Sequence, residues 1–114
     1  MTYEDFDTLL AQMIAEEQAT GKSKGKEYTQ GDRLDNFKRL GAELKCPHCA
    51  KPLGPKNILW VFFKKHLDSI LSFINSGVVY SEPIQGRIMD CRVYLSLLRG
   101  LIEEEKRMQS MDNK

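Results

Sequence analysis

The 114-residue chain reads as an all-α protein: a compact bundle of about four helices with a Cys-x-x-Cys knuckle inserted between the second and third. Three observations predict this. Apolar residues recur at three- and four-residue steps through most of the chain. Residues that start and stop helices bracket those stretches. No two alternating apolar segments form a strand pair that would compete.

The first helix is expected over about Tyr3 to Ala19. Thr2 is its N-cap, and Glu4 and Asp5 favour the positive end of the helix dipole. Phe6, Leu9, Leu10, Met13 and Ile14 form one apolar face. Gly21-Lys22-Ser23-Lys24-Gly25-Lys26 is then expected to break the helix as a basic loop. A short second helix follows, about Asp32 to Leu44, with Leu34, Phe37, Leu40 and Leu44 on its inner face.

A third helix should begin at Pro55, whose missing N–H costs nothing in a first turn. Leu59, Phe62, Phe63, His66, Leu67, Ile70, Leu71 and Ile74 fall on its inner face, widened by Trp60 and Phe73, and Gly77 is its stop. Val78-Val79-Tyr80 reads as an extended connector, and Ser81 caps a fourth helix with Glu82 and Pro83 in its first turn. Ile84, Ile88, Cys91, Leu95, Leu98 and Ile102 make its packing seam. Leu97 and Leu101 broaden that seam toward a second copy, so a homodimer is expected. Residues 1–107 form a single helical domain, and 108–114 read as a flexible polar tail.

Bulk composition excludes several classes. Net charge is +1, which gives neither a basic footprint for nucleic acid nor an acidic solvating tail. The acidic start Met1-Thr2-Tyr3-Glu4-Asp5 does not resemble a secretory leader. The apolar run Ile58 to Phe63 is too short to span a membrane. Three cysteines in such a chain point to a reducing, cytoplasmic compartment.

Chemistry concentrates in three places. Cys46-Pro47-His48-Cys49 is half of a zinc knuckle, because the short loop turns both sulfurs toward one tetrahedral site. No second pair follows. Cys46 and Cys49 therefore take zinc as a structural ion with ligands from elsewhere, among which His48, His66 and Cys91 are the candidates, or form a metal-free turn. His66 faces inward, either as a core histidine or as a polar group aimed into a pocket. Arg87, Asp90 and Tyr94 share one stripe of the fourth helix, as a simple ion pair or as a pocket wall where Arg87 grips phosphate. Together with Lys65 they define a candidate ligand site of Lys65, His66, Arg87, Asp90 and Tyr94. Lys22, Lys24 and Lys26 are either solvated or a clamp over that site. They are not a P-loop, which requires an upstream glycine and a preceding strand.

Lys24-Gly25-Lys26-Glu27-Tyr28, Leu34-Asp35-Asn36-Phe37, Trp60 through Ile70 and Ser81-Glu82-Pro83-Ile84-Gln85-Gly86-Arg87-Ile88-Met89-Asp90 carry a further signal. Across about Lys22 to Leu101 the chain resembles small helical proteins of tailed bacteriophages. These are distantly similar to nucleotide-modification-associated domains and to MazG-like all-α nucleotide pyrophosphohydrolases. The resemblance implies a phage accessory protein in the cytoplasm of an infected bacterium, related to nucleotides. The pyrophosphohydrolases hold magnesium with a Glu-x-x-Glu pair on one helix and a Glu-x-x-Asp pair on another. Here Lys64, Lys65, His66 and Asp68 stand on the third helix, and the fourth keeps only Asp90. The expectation is a non-catalytic protein that binds a phage or host protein or a phosphorylated ligand such as a nucleotide. The alternative is a divergent magnesium-dependent pyrophosphohydrolase using Glu82 and Asp90 with help from Lys65.

Overall fold

Thr2 opens the first helix through a reciprocal cap: the Asp5 amide donates to Thr2 Oγ1 at 3.0 Å, and the Thr2 amide donates to Asp5 Oδ2 at 3.3 Å. The structure is a computed structural model that describes residues 1–28, 32, 34–79 and 82–112, with 23–28 described as backbone only. Four helices follow one another: α1 Tyr3–Tyr28, α2 Asp35–Glu43, α3 Pro55–Ser76 and α4 Ile84–Asp112. Among the described residues there is no strand, only an isolated antiparallel bridge between Lys45 and Pro52. The all-helical class is as expected.

Helix α1 does not break after Ala19. It continues through Gly21, Ser23 and Gly25 to Tyr28. Each helical glycine costs only about 1 kcal/mol relative to alanine, and the intervening lysines are good helix formers. Glu17, one turn before Gly21, is also pinned to α4 by Arg92 at 3.1 Å. Lys24 and Lys26 side chains lie outside the described residues, as do Tyr80 and the proposed cap Ser81.

Helix α2 is shorter than expected because Asp32 stands outside it. Its carboxylate accepts from the Leu34 amide at 2.9 Å, and its carbonyl accepts from the Asp35 amide at 3.2 Å. That turn sets the start of the helix. Lys38 Nζ then donates to Asp32 Oδ2 at 2.8 Å and reaches Glu104 Oε2 at 2.6 Å, joining the turn, α2 and α4.

Pro55 and Gly77 bound α3 as expected. Gly77 adopts a left-handed φ of 73° and its amide donates to Phe73 O at 2.7 Å. Helix α4 begins at Ile84 and runs through the stretch read as a tail, to Asp112. No proline interrupts it, and Arg99–Glu103 at 2.7 Å supports the later turns.

The core gathers Leu34 and Phe37, Ile58, Leu59 and Phe63 of α3, and Cys91 and Leu101 of α4. Phe37, Phe63 and Tyr94 meet edge-on or tilted with ring centroids 6.2–6.5 Å apart. The expected faces are rotated in part. Phe62, Leu71 and Ile74 of α3 are exposed, and so are Ile88 and Leu95 of α4, whereas Met89, Val93 and Leu101 are buried. The physical reason is that α4 packs against α3 on one side and α1 on the other, so its buried stripe is wider than a single seam. Leu101 is 3% exposed and sits in the core, so it does not offer the dimer surface expected of it, whereas Leu97 is only partly buried.

Helices α2, α3 and α4 pack closely, while α1 contacts α4 alone among the larger interhelical contacts. The chain accordingly measures 49 × 34 × 26 Å, with a radius of gyration of 17.1 Å against about 13 Å for a near-spherical chain of this length. No described helix is long and apolar enough to cross a membrane.

Candidate functional site

The joint between α3 and α4 brings together three of the five expected ligand residues. His66 Nδ1 lies 3.7 Å from Asp90 Oδ2, an ion-pair rather than a hydrogen-bond distance, with the two side chains 17% and 14% exposed. The Tyr94 ring lies over His66 at 5.3 Å between centroids. Arg87 sits one turn earlier on α4 and directs its Nε to Glu82 Oε1 at 3.1 Å. Lys65 is exposed on the outer side of α3, in a shallow depression with Trp60, Val61, Lys64 and Asp68. The partly buried Arg87 guanidinium and His66 ring therefore each face a carboxylate.

The segment between α2 and α3 that carries Cys46 and Cys49 is a small hairpin. Leu53 N–H donates to Leu44 O at 2.8 Å, Cys46 N–H to Lys51 O at 2.9 Å and Ala50 N–H to Cys46 O at 2.8 Å. Ala50 takes a left-handed φ of 61°, where glycine would sit without steric cost. The turn aims the His48 and Cys49 amides at the Cys46 sulfur, and these bonds, with one from the Cys49 side chain, hold the Cys46 thiol below its ordinary 9.0. Cys49 is exposed and Cys46 half-buried. Cys91, by contrast, is in the core, where burial and then the Asp90 charge push its thiol up. Among the described residues no group of three or more His, Cys, Asp or Glu side chains is placed to hold a metal ion. His66 and Cys91 therefore do not complete a site with the knuckle inside one chain.

The joint between α1 and α4 was not legible in the sequence. Glu17 binds Arg92 and accepts from the Ser96 hydroxyl. Beside them Ile14, Gly21, Lys22, Val93 and Leu97 line an open cleft of about 530 Å³. The available signal was Glu17 lying on the same stripe as Met13 and Ile14, where a carboxylate needs a cationic partner. Beyond this joint the apolar stripe of α1 continues uncovered, with Phe6 52% and Leu9 36% exposed.

Comparison with known proteins finds no matching family model, no matching curated protein and no matching solved structure. The fold and these features define an all-α chain with a polar interhelical joint, a dithiol hairpin and a half-covered amphipathic helix.

Proposed function

We propose that the chain is a non-catalytic accessory protein, of the phage type its sequence resembles, that works in the host cytoplasm by holding another protein. The observation that carries this reading is the uncovered half of α1. A capped helix is kept in place by its second half, at Glu17, while Phe6 and Leu9 of the first half stay in water. Covering the part of these side chains still exposed yields about 0.5–1.5 kcal/mol each, so a partner that covers them gains affinity.

Charge narrows the partner. The first 17 residues carry Glu4, Asp5, Asp7, Glu16 and Glu17 and no lysine or arginine. An acidic amphipathic helix fits an apolar groove with a basic rim, in the helix-in-groove mode. The interaction would weaken with salt, because rim charges act through water.

The phosphorylated-ligand reading draws less support. Arg87 faces Glu82 and His66 faces Asp90, so an anion would have to displace carboxylates. The pyrophosphohydrolase reading needs a cluster of acids for magnesium. Its two candidate carboxylates are not clustered: Glu82 faces the Arg87 guanidinium and Asp90 faces the His66 ring.

The test couples Phe6→Asp and Leu9→Asp to binding. A host or phage protein retained by the wild-type chain is purified, and its affinity is measured by calorimetry at low and high salt. The reading expects a loss of at least tenfold in each variant, weaker binding at high salt, and slowed amide exchange over residues 3–14 in the complex. Unchanged affinity in both variants would refute it, and sedimentation showing that the stripe is instead covered by a second copy would replace the partner.

A further inference from the structure

The Cys46–Cys49 hairpin has no use in the interaction just proposed, and its chemistry is incomplete within one chain. We propose that it is half of a four-cysteine zinc site, completed by the same two cysteines of a second copy, so that zinc clamps two chains tip to tip.

Several independent observations converge on this. Zinc in a closed site takes four ligands in a tetrahedron, and Cys46 and Cys49 supply two. The hairpin is already tightly turned around the two cysteines: Ala50 takes positive φ, the Ala50 amide donates to Cys46 O, and the Cys46 amide donates to Lys51 O. The described residues offer no third donor within the chain. Pro47, His48, Cys49 and Ala50 are all exposed, so the open side of the site faces outward, where another molecule can supply further ligands.

A second copy fits that requirement. Two identical half-sites related by a two-fold axis make a tetrahedral set with no other component, the self-complementary arrangement of most homodimers. Leu44 and Leu53 face each other at the stem of the hairpin and are 49% and 38% exposed, an apolar platform beside the thiols for the partner's equivalent pair. Charge agrees as well. Four thiolates around one zinc ion carry a net charge of −2, and Lys45 and Lys51 flank each hairpin, bringing four lysines to the assembled site. Binding is not a redox step: each of the four thiols gives up one proton to solvent as its sulfur bonds the metal.

Cobalt and zinc are the probes. Reduced, metal-free protein is titrated with Co²⁺ and followed by absorption, then loaded with Zn²⁺ and weighed by native mass spectrometry. The expected result is a thiolate-to-cobalt band that saturates at one cobalt per two chains, with the intense visible bands of a tetrahedral ion. Zinc should give a dimer with one metal, which returns to monomer with a chelator. Cys46→Ser and Cys49→Ser should each abolish the band and the dimer while far-UV dichroism stays at the wild-type value. Saturation at one metal per monomer, a dimer indifferent to chelation, or reduced protein that takes up no metal would each overturn the proposal. Phe6→Asp should leave metal uptake unchanged, so this site can fail or hold whatever the outcome for α1.

Discussion

The Gly54 amide donates to the Gly41 carbonyl at 3.0 Å, and at this point the backbone of α2 touches the start of α3. A Cβ on Gly41 would lie 2.5 Å from Gly54 C and 2.6 Å from Pro55 N, both backbone atoms that cannot rotate away. The contact closes the base of the dithiol hairpin and fixes the angle between the two helices.

Gly41→Ala should therefore destabilise the fold by about 2 kcal/mol or more, since the overpacking cost exceeds the roughly 1 kcal/mol that alanine gains in a helix. Gly100→Ala is the control. Its Cβ would meet only Leu34 methyls at 3.6 and 3.7 Å, ordinary contact distances, and it should stabilise by up to about 1 kcal/mol. Urea unfolding of the two variants checks this, and equal midpoints would show that the Gly41 approach is not constrained.

Lys38 should shape the pH dependence of stability at both extremes. Its bond, followed by that of the Leu34 amide, holds the Asp32 carboxyl below 3.8, while Asp32 and then Glu104 hold Lys38 above 10.5. The depressed acid contributes stability above about pH 3.8 that is lost as pH falls through its lower folded value. The raised base contributes stability below about pH 10.5 that is lost as pH rises through its higher folded value. All three side chains are more than a third exposed, so each effect should stay under about 1 kcal/mol and shrink with salt. In Lys38→Met the NMR titration of Asp32 should move up toward 3.8. A titration that stays in place would mean the pair does not form in solution.

Thiol reactivity should separate the three cysteines. In metal-free, reduced protein near pH 8, Cys46 and Cys49 should react rapidly with a disulfide reagent, Cys46 aided by its stabilised thiolate. Cys91, buried and with its thiol pushed up, should react only after denaturant is added. Cys46→Ser should leave a single fast thiol. Three thiols of equal rate in the native protein would contradict the buried placement of Cys91.

The sequence announced what short-range rules govern. Thr2 caps α1, Pro55 opens α3 and Gly77 closes it, because each acts within one turn of its own position. The adjacency of His66, Asp90 and Tyr94 was half legible: helical periodicity placed His66 inward and put Asp90 and Tyr94 on one stripe. It could not show that Arg87 turns to Glu82, or that Lys65, one residue from His66, faces away. Composition at Gly21 to Lys26 pointed to a loop, but the tertiary anchor at Glu17 and Arg92, 75 positions apart in the chain, outweighs local propensity. The same distant contact brings Val93 of α4 beside Ile14 and Glu17, while Leu101 is buried on the side facing α2 and α3, which single-helix patterning could not reveal.

The Glu17–Arg92 joint also has a consequence in time. During synthesis α1 leaves the ribosome well before α4, its anchoring helix, exists. At about 5–20 residues per second, the residues between Tyr28 and Arg92 take several seconds to translate. Helices α2 and α3 can pack together in that interval, because their contacts lie between neighbours in the chain. Throughout it the whole acidic amphipathic face of α1, including the part later turned toward α4, is open to any protein waiting at the ribosome. A binding partner would then meet the chain before folding ends, and would compete with α4 for Ile14 and Glu17 while taking Phe6 and Leu9 unopposed.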